Sequence, residues 1–211
     1  MGGGKVWPLE TLAALREFAT DNGMRMHMDG ARGMNAVVAS GNSLATIGQY
    51  VDSLWIDLSK GLGAPVGAVL VGTREFIEEG RLWKHRLGGA MRQAGIIAAG
   101  GVYAFRHHID RLADDHANAK LIESSLASTL GITILRSPVE TNIVIFSVEG
   151  TGLTAQEFAD RLLVEHNVRV SPYYQQTTVR VVTHLDVSSK DCETAAQAMA
   201  NVAAGALAGA G

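Results

Sequence analysis

The sequence has a single cysteine, Cys192, among its 211 residues. That excludes an internal disulfide framework and is expected of a chain working in a reducing cytoplasm. Cys192 itself reads as a small residue on a helix. No apolar run reaches the roughly 18 residues of a membrane span, and no charged segment leads into a signal-type apolar stretch at the start. Neither secretion nor membrane insertion is expected. Positive charge is also in short supply: 18 Lys and Arg stand against 21 Asp and Glu, a net charge of −3. No basic face therefore invites nucleic acid. His107, His108 and His116 lack metal-ligand spacing to cysteines or acids, so no metal is expected and they read as helix-surface or interface residues. There is no internal repeat and no Rossmann glycine fingerprint.

What the sequence does have is an ordinary globular balance, 47% hydrophobic and 18% charged. Its length suits one large domain or two small ones. Its 24 glycines cluster in residues 61–67 and 88–89 and at the two ends, where they suit tight turns or close backbone approach.

One stretch concentrates the chemistry. The apolar run Ser53-Leu54-Trp55-Ile56-Asp57-Leu58 leads to Ser59-Lys60-Gly61-Leu62-Gly63-Ala64-Pro65-Val66-Gly67, and a second apolar run, residues 68–71, follows. The pattern predicts strand, tight loop, strand, with a lysine at the loop entrance. Two readings stand for Lys60. It is a solvated strand-end lysine, as most lysines are, or a poorly hydrated, nucleophilic amine. A second strand end bears on the choice. Met24, Met26 and Met28 alternate with Arg25 and His27, predicting a strand with a methionine core face that ends in Asp29-Gly30-Ala31-Arg32. Asp29 is either a helix N-cap or part of a site, since ligands bind at the carboxyl ends of strands in open α/β sheets. An acid, a guanidinium and a lysine at one sheet edge form the constellation that a pyridoxal phosphate site needs.

Helices are predicted over 9–21 behind Pro8, over 34–39 and 43–50, from Thr73 over 74–84, and over 94–108 and 110–129. The basic run Arg81, Lys84, His85, Arg86 reads as a solvated helix face. Arg92, after Gly88-Gly89, stands near a helix start and is a phosphate candidate. Near residue 130 the texture changes. Strands are predicted at 132–135, 142–146, 168–171 and 179–182, with a capping-box helix from Thr154 to Glu165 and a last helix from about Lys190 to Ala206. This sets an expected division into 1–130 and 131–211. Arg180 alternates with apolar neighbours; it is a surface arginine on an edge strand or a carboxylate clamp. The small-residue tail, 203–211, is expected to fray.

Five blocks in order resemble the threonine aldolase family: His27-Met28-Asp29-Gly30-Ala31-Arg32, residues 58–67, residues 87–95, Asp115-His116-Ala117-Asn118-Ala119, and Arg180-Val181-Val182-Thr183-His184. The resemblance covers nearly the whole chain. It implies an α/β, aspartate-aminotransferase-like fold of the pyridoxal-phosphate type I class: part of a large domain with a mixed, mostly parallel sheet (1–130), and a small C-terminal α/β domain (131–211). It implies pyridoxal 5'-phosphate as cofactor, and cleavage of L-threonine or L-allo-threonine into glycine and acetaldehyde. By position it implies Lys60 as the Schiff-base lysine and Asp29 as the ring-nitrogen partner. Arg32 would lie near the ring oxygen and substrate carboxylate, Arg92 would reach a neighbouring subunit's phosphate, and Arg180 would hold the substrate carboxylate. A homodimer or homotetramer follows from the role of Arg92. Two departures stand out. Family members extend considerably further at the N-terminus, and Gly33 replaces a larger apolar residue. The first leaves two other readings open, a non-catalytic fragment or a partner-requiring half-subunit; a β-eliminating lyase acting on another amino acid is a third.

Overall fold

The computed structural model describes residues 2–209. Packing divides them into two units, Val6–Ala113 and the remainder from Asp114 onward, which is joined by the N-terminal residues through Lys5.

In the first unit, Pro8 stands at the N-cap of α1 (Leu9–Asp21), where its fixed φ is pre-set for the helix. The chain then enters β1 (His27–Gly30). The strand expected from Met24 starts later because Asp52 captures the backbone on the way in. Its carboxylate accepts from Met26 N at 2.8 Å and pairs with Arg16 at 2.8 Å. These bonds, first the Met26 amide and then Arg16, hold the Asp52 carboxyl down at a pKa of about 2. Met24 is exposed, so the methionine stripe is only partly core. Next come α2 (Gly33–Ser40), α3 (Leu44–Gly48), β2 (Ser53–Asp57), β3 (Ala68–Val71), α4 (Arg74–Arg86) and α5 (Gly95–His107). The sheet order is β1-β2-β3, with β1 parallel and β3 antiparallel to β2. Leu54 and Ile56 alternate into a core with Met34, Leu58, Leu62, Ala104 and Leu112, while Trp55 and Asp57 take the other face. Val69, Leu70 and Val71 of β3 are exposed, and α4 buries no residue.

The second unit takes in most of α6 (Leu112–Ala127), then β4 (Thr133–Ile134), β5 (Ile143–Ser147), α7 (Ala155–His166), β6 (Ser171–Pro172), β7 (Thr178–Val182) and α8 (Ser189–Gly209). Its sheet is antiparallel throughout, in the order β4-β5-β7-β6. Packing places the division before α6, whereas the sequence texture changes after it. The reason is that Ala119, Ile122 and Leu126 of α6 join the second core, with Phe146, Phe158, Leu162, Met199 and Val202. The Thr154–Glu157 capping box is present. The strand expected over 168–171 shrinks to Ser171–Pro172, since Asn167 closes α7 in the left-handed conformation and the Val168 amide returns to Leu162 O at 3.1 Å. The tail does not fray where expected: α8 runs to Gly209, with Ala203 and Ala206 buried; residues 210–211 lie outside the described residues. The N-terminal residues are tied down by Lys5 Nζ, which pairs with Glu140 at 2.9 Å, and by Thr141, which donates to Gly4 O at 2.6 Å.

Among the described residues, no helix is long and apolar enough to cross a membrane.

Candidate functional site

Lys60 leaves the end of β2 at the start of a loop whose shape is set from several sides. The Gly63 amide donates to Lys60 O at 2.9 Å, and the Ala64 amide to Leu58 O at 2.8 Å. Asp57 Oδ1 accepts from the amides of Ser59 and Lys60, at 2.7 and 3.2 Å, and from the Ser59 hydroxyl at 3.0 Å. Gly61 is needed for space: a Cβ there would lie 2.9 Å from Leu112 and 3.2 Å from Asn35. Gly63 takes φ +65 and Gly67 φ +115, both in the left-handed region that glycine adopts without strain.

The Lys60 ammonium pairs with the other oxygen of Asp57 and lies 5.3 Å from the centre of the Trp55 ring. The Lys60 side chain is 42% exposed, against 9% for Asp57. The expectation of a poorly hydrated amine is therefore not met. Trp55 and Asp57 point to the sheet's half-buried face, and the lysine follows them there into partial contact with water. Partial burial pushes the Asp57 carboxyl up. Hydrogen bonds from Lys60 and Ser59 outweigh that and leave it below its ordinary value.

Asp29 pairs in parallel register with Trp55, so the two side chains share one sheet face. Asp29 thus shares a face with the Trp55 ring over which Lys60 lies, at the carboxyl ends of adjacent parallel strands. Asp29 is not the N-cap of α2. That position falls to Arg32, and the Asp29 carboxylate accepts instead from the Ala31 amide at 3.0 Å. The strands approach closely here: a Cβ on Gly30 would lie 1.8 Å from Trp55 O. Gly33, where the family pattern has a larger residue, sits against Ile56, with 3.0 Å available to a Cβ. Arg32 is half-buried, and Arg92 stands exposed in the turn before α5.

Arg180 belongs to the second unit. It lies on β7, which is flanked by β5 and β6, so it is not on an edge strand. Its guanidinium lies 5.0 Å from the centre of the Tyr173 ring, and its Nε is buried with no hydrogen-bond partner. A cavity of about 500 Å³ adjoins it, lined by Arg169, Ser171, Thr183 and Asp191 among others.

His116 is buried rather than on a helix surface, and burial lowers its pKa against the opposing pull of Asp115. Cys192 is buried on α8, and burial raises its thiol pKa. No cluster of three potential metal-ligating side chains occurs among the described residues. Sequence reasoning missed three contributors: Asp57, Trp55 and His108, whose Nδ1 donates to Leu62 O at 2.6 Å. The Asp-x-x-Lys spacing could have flagged Asp57. Nothing in the sequence links His108 to a loop 46 residues away.

Residues 1–150 match the profile of the beta-eliminating lyases. The chain belongs to that family. It is 41% identical to the low specificity L-threonine aldolase of Escherichia coli K12 over 185 residues, which are 88% of this chain and 53% of the relative. The chain thus spans about half the length of the curated relatives it matches. The fold is that of a Listeria monocytogenes protein described as a candidate L-allo-threonine aldolase. That match has a TM-score of 0.76 at 23% identity and covers 95% of this chain and 58% of the other. It is also that of an alpha-aminoadipate aminotransferase from Thermus thermophilus, with a TM-score of 0.72 at 16% identity, covering 95% and 55%. The aminotransferase-like architecture expected from the sequence blocks is the one found.

Proposed function

We propose that the protein is a pyridoxal 5'-phosphate-dependent lyase that cleaves L-threonine or L-allo-threonine to glycine and acetaldehyde. The observation that carries this reading is Lys60, a water-accessible lysine over the Trp55 ring that shares a sheet face with Asp29, in a loop fixed by its own backbone. The donor set fits the cofactor: an amine for an aldehyde, a carboxylate for a protonated ring nitrogen, and guanidinium groups for phosphate and carboxylate. When bound, pyridoxal phosphate supplies the electron sink for breaking the Cα–Cβ bond.

In this reading Lys60 would be the residue that holds the cofactor, and Asp29 would keep a proton on the ring nitrogen. Arg32 would face the ring oxygen and the substrate carboxylate. Arg92 would reach the phosphate of a neighbouring subunit's cofactor, in a homodimer or homotetramer. Arg180 holds the substrate carboxylate through paired hydrogen bonds, and its stacking on Tyr173 supports that by limiting the swing of the guanidinium. The unit Val6–Ala113 would belong to the cofactor domain, and the unit from Asp114 onward would form the small domain. The protein works in the cytoplasm.

Acetaldehyde release from threonine, compared with ammonia release from serine, cysteine and tyrosine, tests the reaction class. Acetaldehyde production that depends on both threonine and cofactor supports the aldolase. Ammonia from the other amino acids in its place supports a β-eliminating lyase.

One observation favours a second reading, that this chain turns over only when further polypeptide completes it. Val69, Leu70 and Val71 of β3, with Leu82 and Trp83 of α4, form exposed apolar surface. Full turnover by the purified 211-residue chain would contradict this second reading.

A further inference from the structure

The loop that carries Lys60 leans on α5 at three levels. A Cβ on Gly100 would lie 2.7 Å from Pro65, and one on Gly101 2.8 Å from Leu58. Those two glycines let the helix lie directly against the loop. At the helix end His108 donates from Nδ1 to Leu62 O at 2.6 Å, and its own amide returns to Ala104 O at 2.8 Å. Because the acceptor is a carbonyl, Nδ1 must carry the proton. Leu62 is 2% exposed, so water does not replace that donor. The Tyr103 ring stands edge-on to His108, with centroids 5.4 Å apart at 84°, and restricts its rotation. Leu62 is two residues from Lys60, inside the turn that the Gly63 amide closes onto Lys60 O.

We infer that His108 is a positioning residue for Lys60, acting through the Leu62 carbonyl to hold the lysine loop in its binding shape. The inference rests on the proposed role of Lys60 as the cofactor lysine. A side chain that only fills space would be replaceable by any ring of the same size. A positioning donor is replaceable only by another donor.

The test uses two variants of the full chain. His108→Phe keeps the ring and removes the donor; His108→Asn keeps a donor near the Nδ1 position. Two readouts are taken. The first is amide hydrogen exchange of peptides covering residues 58–64, with no cofactor added. The second is the pyridoxal phosphate concentration that half-labels Lys60 after borohydride trapping and peptide mapping. In His108→Phe, loop exchange rises roughly tenfold and the half-labelling concentration rises by a similar factor, while His108→Asn stays within about twofold of wild type. If His108→Phe does not fold, His108→Ala takes its place. Unchanged loop exchange in the donor-less variant would overturn the inference. So would equal loss of protection in both variants, since ring packing would then hold the loop. If wild type takes no label at Lys60, the proposed function falls, while the exchange comparison still decides the role of His108.

Discussion

Asp57 and Lys60 are joined twice: one carboxylate oxygen pairs with the lysine ammonium, and the other accepts the lysine's own backbone amide at 3.2 Å. The same residue therefore sets both the start of the loop and the resting place of its amine.

Replacing Asp57 separates these roles. Asp57→Ala removes the acceptor for Ser59 N and Lys60 N and should cost about 1–3 kcal/mol in chemical denaturation. Asp57→Asn keeps an acceptor oxygen and should lose less. Equal stability of the Ala variant and wild type would show that the loop does not depend on this carboxylate.

Close strand approach at Gly30 gives a sharper case. A Cβ there would lie 1.8 Å from the Trp55 carbonyl, a backbone atom that cannot swing away. Gly30→Ala should destabilise the first unit by about 3 kcal/mol or more, because the two strands must separate. Gly23, where a Cβ meets nothing within 4 Å but φ is +64, should lose only the smaller cost of left-handed strain, about 1 kcal/mol. Denaturant midpoints of the two variants compare them directly.

Much of this was legible in the sequence, for physical reasons. The apolar run at 53–58 pointed to β2, Thr154 and Glu157 to α7, and the Lys60 loop announced itself by its glycines. Local periodicity failed where a distant group competed for the backbone, as Asp52 does at Met26 and the end of α7 does at Val168. It also failed at α8, where small residues read as a fraying tail pack Ala203 and Ala206 into a core that only the tertiary fold supplies. Within the candidate site, Asp29 and Lys60 could be read from their strand ends. The hydration of Lys60 could not, because it depends on Trp55 and Asp57 sharing the face onto which the lysine folds.

His116 makes the second unit sensitive to mild acid. Burial lowers its pKa below the ordinary histidine value, with Lys120 adding to the effect and Asp115 opposing it. The unfolded chain therefore binds a proton more readily than the folded one. Stability from this group is fully present above about pH 6.5 and is lost as the pH falls through the lowered folded value, by at most about 1.4 kcal/mol per pH unit. Urea midpoints between pH 7 and 5 should fall for wild type and fall less for His116→Gln. Parallel profiles would exclude His116 as the source.

The proposed function requires that Lys60, rather than any other of the chain's lysines, takes the cofactor. Incubation with pyridoxal phosphate, borohydride reduction and peptide mapping test it most directly. The expected result is an absorbance band lost on reduction and a pyridoxyl label on the peptide containing Lys60, with both absent in Lys60→Ala. Cofactor uptake unchanged in Lys60→Ala, or label spread evenly over the exposed lysines, would contradict it.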